Sequence, residues 1–239
     1  MIGLVQVGIQ AYADRYTYVP LIGVFIALAW GIPELLAGWR FRRLALAVSG
    51  GAVVLVLSVA AWSQAGYWRD NITLLTRTVA VTDRNWFAMG SLGDSYSQIG
   101  QHRQAVGYFE EASRIKPENA EVCYNLGVSY ATLGQYQQAI RYFREASRIK
   151  PDHAEAWYNL GVSYTTLGQH QQAIGSYRES LRIQPGNAEA WNNLGFSHAK
   201  LGQYQQAIQY YRESLRIQPE NAEARLNLGV AIGELGKSR

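Results

Sequence analysis

Ala120 opens a stretch, AEVCYNLGVSYATLGQYQQAIRYFREASRIKPDH, that returns almost unchanged at Ala154 and again at Ala188, 34 residues later each time. One period earlier, residues 86–119 form a looser copy, and residues 222–239 supply about half of another. A fixed period of this length points to a solenoid of helix-turn-helix units rather than to one closed core. Apolar and small residues fall at helical spacing within the unit: Cys123, Leu126, Gly127 and Tyr130 on a first helix, then Ala139, Phe143 and Ala146 on a second that Pro151 ends. The expected fold class is all-α.

The third copy carries Trp157, Leu160, Gly161, Tyr164, Ala173, Tyr177 and Pro185 at the framework positions of the tetratricopeptide (TPR) family, with Ser180 where a small Ala is usual. The chain thus resembles TPR proteins over more than half its length. The resemblance implies repeats at 86–119, 120–153, 154–187 and 188–221, closed by a capping half-repeat at 222–239 and stacked as a right-handed solenoid. Gly127, Gly161 and Gly195 lack a Cβ and let the two helices of a unit approach closely. Asn119, Asn187 and Asn221 stand at N-cap positions, with Glu121, Glu189 and Glu223 in the first turn at the positive end of the helix dipole. Trp157 and Trp191 read as core residues.

The first part of the chain has a different composition. Leu44–Trp62 holds no charge, and 18–36 is interrupted only by Glu34. At about 1.5 Å per residue each run can cross a hydrocarbon layer about 30 Å thick, so two transmembrane helices are expected, near 18–36 and 44–62. Residues 1–17 then form an extracytoplasmic lead-in, 18–63 a two-helix anchor, and 64–85 a connecting helix that Asp70 can cap and that takes the place of a degenerate second TPR helix. Arg40, Arg42 and Arg43 between the spans belong on the cytoplasmic side by the positive-inside rule. The repeats are therefore expected in the periplasm of a bacterial inner-membrane protein, or in the lumen of the endoplasmic reticulum in a eukaryote.

GLVQVGIQAYADRYTYVPLIGVFI, a further span, YWRDNITLL and then the repeats together resemble the C-terminal part of bacterial relatives of the transmembrane and TPR-containing O-mannosyltransferases. That family implies a polytopic C-type glycosyltransferase using polyprenyl-phosphate sugars. Its catalytic region is a many-span part that this sequence does not contain, so the chain reads as a piece of a longer or split protein and no activity of its own is expected. No catalytic acid and base pair, cofactor or metal site is nominated. Arg15 either contacts a lipid phosphate or, as the preferred reading, anchors the end of the first span.

The candidate binding residues lie one period apart on the first helices, Asn125, Asn159, Asn193 and Asn227, while the first repeat departs from the row with Ser91. In TPR superhelices this position lines the concave groove, and the transferase for O-linked N-acetylglucosamine, which this sequence resembles, uses such a ladder to hold extended peptide. An amide both donates and accepts, so it can pair with peptide backbone whatever the side chains. Tyr124, Tyr158 and Asn192, with Val128, Val162 and Phe196, supply the neighbouring surface. The alternative is that the asparagines only bond adjacent repeats together. The partners expected are an extended polypeptide, the membrane and a polytopic glycosyltransferase domain. A scaffold that assembles envelope proteins without sugar chemistry stands as the second reading.

The formal charge of +4 does not suggest nucleic acid, because Arg114, Arg148, Arg182 and Arg216 each follow a glutamate by three positions, as same-face pairs on a wet helix surface do.

Overall fold

The computed structural model describes Gly38, residues 40–67 and residues 70–237. Among the described residues there are eleven helices and no strand. They fall into two units, 1–92 and 93–239.

In the first unit, α1 (Arg42–Tyr67) contains an 18-residue stretch, Leu46–Ser63, of mean hydropathy 2.0, long and apolar enough to cross a membrane. Among the described residues nothing buries that stretch; Val54, Leu55 and Trp62 all stand exposed. The second of the two expected spans corresponds to this helix, and the first lies outside the described residues, as does Arg15. One membrane-compatible helix is therefore present among the described residues where two spans were expected. The helix α2 (Asn71–Val81) starts at Asp70, whose carboxylate accepts from the Thr73 backbone N–H at 2.8 Å and from its hydroxyl at 2.9 Å, satisfying a donor that the first turn leaves open.

The helix α3 (Trp86–Gln98) leads into the second unit, where α4 (His102–Ile115), α5 (Ala120–Thr132), α6 (Tyr136–Ile149), α7 (Ala154–Thr166), α8 (His170–Ile183), α9 (Ala188–Lys200), α10 (Tyr204–Ile217) and α11 (Ala222–Lys237) follow. The first helices begin at Trp86, Ala120, Ala154, Ala188 and Ala222, one period apart. Asn119, Asn187 and Asn221 each accept from a backbone N–H three residues on, at 3.1, 2.9 and 3.0 Å. Gly134, Gly168 and Gly202 turn each first helix into the second at φ between 71° and 74°, the left-handed region that a Cβ makes costly.

The first helices α5, α7 and α9 each pack on the second helix of their own repeat and on that of the repeat before, so every helix between α5 and α10 is sandwiched. The seam is set by size. A Cβ built on Gly161 would lie 2.6 Å from the Tyr177 ring, and one on Gly127 would lie 2.7 Å from Phe143. Ala139, Phe143, Leu160, Ala173, Tyr177 and Leu194 join across three repeats as a continuous buried core. That continuity is why one helix pair is not a stable unit by itself.

Trp157 and Trp191 pack against this core from its edge. Both are only partly buried, and their indole N–H groups donate to the carbonyls of Pro151 and Pro185 at 3.0 and 2.9 Å, pinning the loop six residues earlier. Arg225 replaces the tryptophan one period later yet makes the same bond, to the Pro219 carbonyl at 2.7 Å. The last helix, α11, which forms the expected capping half-repeat, leaves Leu226, Val230 and Ile232 exposed.

Candidate functional site

Because the period places α5, α7, α9 and α11 in equivalent positions, Asn125, Asn159, Asn193 and Asn227 form a row, all half-buried. Each side-chain amide reaches back to the preceding repeat. Asn159 Nδ2 donates to the Tyr124 hydroxyl at 3.1 Å, Asn193 to the Tyr158 hydroxyl at 3.3 Å, and Asn227 to Asn192 Oδ1 at 3.2 Å. These partners are 35 residues apart. Asn125 has no such tyrosine behind it, since Gly90 stands there; it donates to Asp94 at 2.8 Å instead. Asp94 occupies the Val128 position one period earlier, and burial together with the Glu121 charge pushes its carboxyl up, against the pull of the Asn125 bond.

The inter-repeat bond uses one of the two amide hydrogens of each asparagine. The second N–H and the carbonyl oxygen have no protein partner among the described residues, a donor and an acceptor of the kind a peptide backbone needs. Tyr124, Tyr158, Val128, Val162 and Phe196 are half-buried on the same helices, with Phe196 under the Lys200 ammonium at 5.1 Å. Asn192 differs from the groove surface it was assigned to: it is buried and holds Asn227.

Glu121, Glu155, Glu189 and Glu223 add a negative rim that the reading of the first turns as dipole partners did not anticipate. All four are exposed, and among the described residues none pairs with Lys or Arg. The Tyr158 hydroxyl donates to Glu189 at 3.2 Å, and burial, with the Glu189 charge next, raises its pKa to about 12. Tyr158, Asn193, Glu189, Asn221 and Glu223 line a polar cleft of about 420 Å³. His153, at the cap position of α7, makes no cap bond; its ring lies 4.8 Å from that of Tyr124, with Nδ1 3.2 Å from Glu155. The glutamates of the second helices behave differently. Glu111–Arg114, Glu145–Arg148, Glu179–Arg182 and Glu213–Arg216 are exposed pairs at 2.6 to 2.9 Å, the wet face expected of them.

The tetratricopeptide repeat family matches residues 91–151, 124–188 and 188–221, more than half of the 239 residues. This chain belongs to the tetratricopeptide-repeat family. Two Drosophila melanogaster proteins are similar to the TPR chain: protein O-mannosyl-transferase Tmtc2, 28% identical over 110 residues, and Tmtc3, 27% identical over 112. Those stretches are 46% and 45% of this chain but 12% of either relative, so the chain spans about an eighth of their length. Among solved structures, MamA is 25% identical with a TM-score of 0.61, over 64% of this chain and 89% of MamA. YrrB, described as a TPR protein with an unusual peptide-binding site, is 23% identical with a TM-score of 0.61, over 71% of this chain and 84% of its own, and shares the fold.

Proposed function

We propose that this chain is a membrane-anchored TPR module whose groove holds an extended polypeptide outside the cytoplasm and presents it as acceptor to a polytopic glycosyltransferase domain. One observation carries the reading: four asparagines, spaced one period apart, each with a carbonyl and an N–H left over after its inter-repeat bond. Backbone pairing at such a row tolerates many side chains, which suits an acceptor-presenting device. The glutamate rim favours segments carrying Lys or Arg, because opposite potentials speed encounter and fix register.

The peptide-binding site that YrrB's description mentions supports a ligand in the groove, and the likeness to Tmtc2 and Tmtc3 supports the link to protein O-mannosylation. The exposed apolar α1 supports the anchor, and Arg40 and Arg43, ahead of its apolar stretch, support an inner-membrane orientation with the repeats in the periplasm. The scaffold reading keeps one observation in its favour, the asparagine-to-tyrosine bond between repeats, which is a structural role already filled.

The experiment is an extended-peptide library titrated against the purified chain, its Asn125/Asn159/Asn193→Ala variant and a Tyr124/Tyr158→Phe variant. The phenylalanine change removes the inter-repeat acceptors but keeps the asparagines. If the amides grip peptide, the alanine variant loses binding and the phenylalanine variant keeps it. Binding that survives the alanine changes, or is lost equally in both, assigns the row to holding repeats together and leaves the scaffold reading.

A further inference from the structure

The second helices carry a tyrosine three positions after the alanine of the Ala-Ile or Ala-Val pair: Tyr108, Tyr142 and Tyr210 in three repeats, but Ser176 in the third. Those tyrosines fill the seam between their own two helices. Tyr108 stacks on Tyr96 at 5.3 Å and 2°, and Tyr142 on Tyr130 at 5.5 Å and 5°. Tyr210 lies between Trp191, at 5.7 Å, and His198, at 5.0 Å. In the third repeat the flanking rings are present as Trp157 and Tyr164, while Ser176, its hydroxyl turned back to the Gln172 carbonyl at 3.2 Å, leaves the space between them open.

The result is a cavity of about 540 Å³ lined by Trp157, Leu160 and Tyr164 with Ser176 and Gly175 beside them. Arg144 and Arg148, from the repeat before, edge it. Arg148 is held by Glu145 at 2.6 Å. Arg144 lies 5.5 Å from the centre of the Tyr164 ring and makes no ion pair among the described residues, so the opening carries one uncompensated positive charge. No residue of the asparagine row lines this cavity.

We propose that this slot is a second recognition site, independent of the groove, which takes an aromatic side chain of a partner polypeptide with a carboxylate beside it. The sister repeats show what fits, because each fills the equivalent space with a tyrosine ring. Stacking against Trp157 and Tyr164 supplies the attraction, and the Arg144 guanidinium, already over an aromatic face, meets the carboxylate. An aromatic in a preformed pocket with an arginine at its edge is the composition of interface hot spots.

The test uses the full chain and fluorescent peptides containing a single Asp-Tyr pair, with Asp-Ala and Asn-Tyr versions beside them, read by fluorescence anisotropy. Ser176→Tyr gives the third repeat the residue its sisters have and so fills the slot without straining the fold. The Asp-Tyr peptide should bind the unaltered chain and lose about tenfold or more in affinity with Ser176→Tyr, a cost on the scale of one buried aromatic contact. Arg144→Gln should weaken the Asp-Tyr peptide and leave the Asn-Tyr peptide unaffected. Equal binding of Asp-Tyr and Asp-Ala peptides, unchanged binding by Ser176→Tyr, or no binding to the unaltered chain overturns the proposal. Self-association of the unaltered chain that Ser176→Tyr abolishes overturns it in favour of a second copy as occupant.

Discussion

Replacing Gly161 by Ala adds one carbon to a helix in which glycine is otherwise a poor choice, so propensity alone favours the change by about 1 kcal/mol. The seam reverses the sign. The new Cβ would stand 2.6 Å from Tyr177 Cε1 and 2.7 Å from Cδ1, about 1 Å inside an ordinary carbon contact. Tyr177 cannot swing aside cheaply: it is fully buried, and its hydroxyl lies 3.1 Å from Thr165 Oγ1. Overpacking of that kind costs about 1–3 kcal/mol, so after the gain in propensity the net loss runs up to about 2 kcal/mol. Gly107 is the matched control, inside α4 with nothing within 4 Å of its added Cβ. Gly107→Ala should raise stability by up to about 1 kcal/mol. Urea titration followed by circular dichroism, with hydrogen exchange on α7 and α8 to place the loss, reads both. If Gly161→Ala is as stable as the unaltered chain, or if the two variants shift in the same direction, the tight-seam argument fails.

Burial, with Arg178 adding to it and the Gln203 bond opposing, lowers the His198 pKa, and burial lowers that of His170 with Lys200 nearby. The unfolded chain therefore binds protons first, so stability should fall as pH drops through about 6.5 and level off below the folded-state values. His198→Tyr, the residue found at Tyr130 and Tyr164, should flatten part of that slope in melting curves taken between neutral and mildly acidic pH. Asn187→Ala removes the acceptor for the Ala190 N–H and should cost about 1 kcal/mol in the same urea assay. Val54→Lys places a charge in the apolar stretch of α1, where the cost in a bilayer is about 2.5–3.5 kcal/mol. If α1 is the anchor, that variant should shift from the membrane to the soluble fraction on centrifugation, and unchanged partitioning would refute the assignment.

Helices, caps and the glycine seam were legible in the primary structure because each follows from local rules repeated four times. Asn119 caps α5 because its side chain reaches a backbone N–H three residues away, a relation that needs no partner from another repeat. The positive-φ turns at Gly134, Gly168 and Gly202 are local in the same sense. The division of labour inside the asparagine row was not legible. Which amide hydrogen is taken depends on the stagger between stacked repeats, which brings Asn159 to Tyr124 and Asn227 to Asn192 while offering Asn125 an aspartate instead.

The same holds for the tryptophans, where framework matching suggested core packing and the fold put the indole N–H on a proline carbonyl six residues back. Arg225 breaks the framework in sequence but preserves that bond, because a guanidinium can reach the carbonyl the indole would have met. Residue 176 is the reverse case, a serine that is unremarked in a helix-forming segment yet opens a cavity once Trp157 and Tyr164 stand on either side of it. By itself the sequence determined the period, the helix boundaries and the positions that must stay small, since these depend on neighbours within a few residues. Tertiary structure alone decided which polar atoms are spent on the neighbouring repeat and which are left over, because those contacts join residues a whole period apart whose register is set by the packing of bulky rings against glycine.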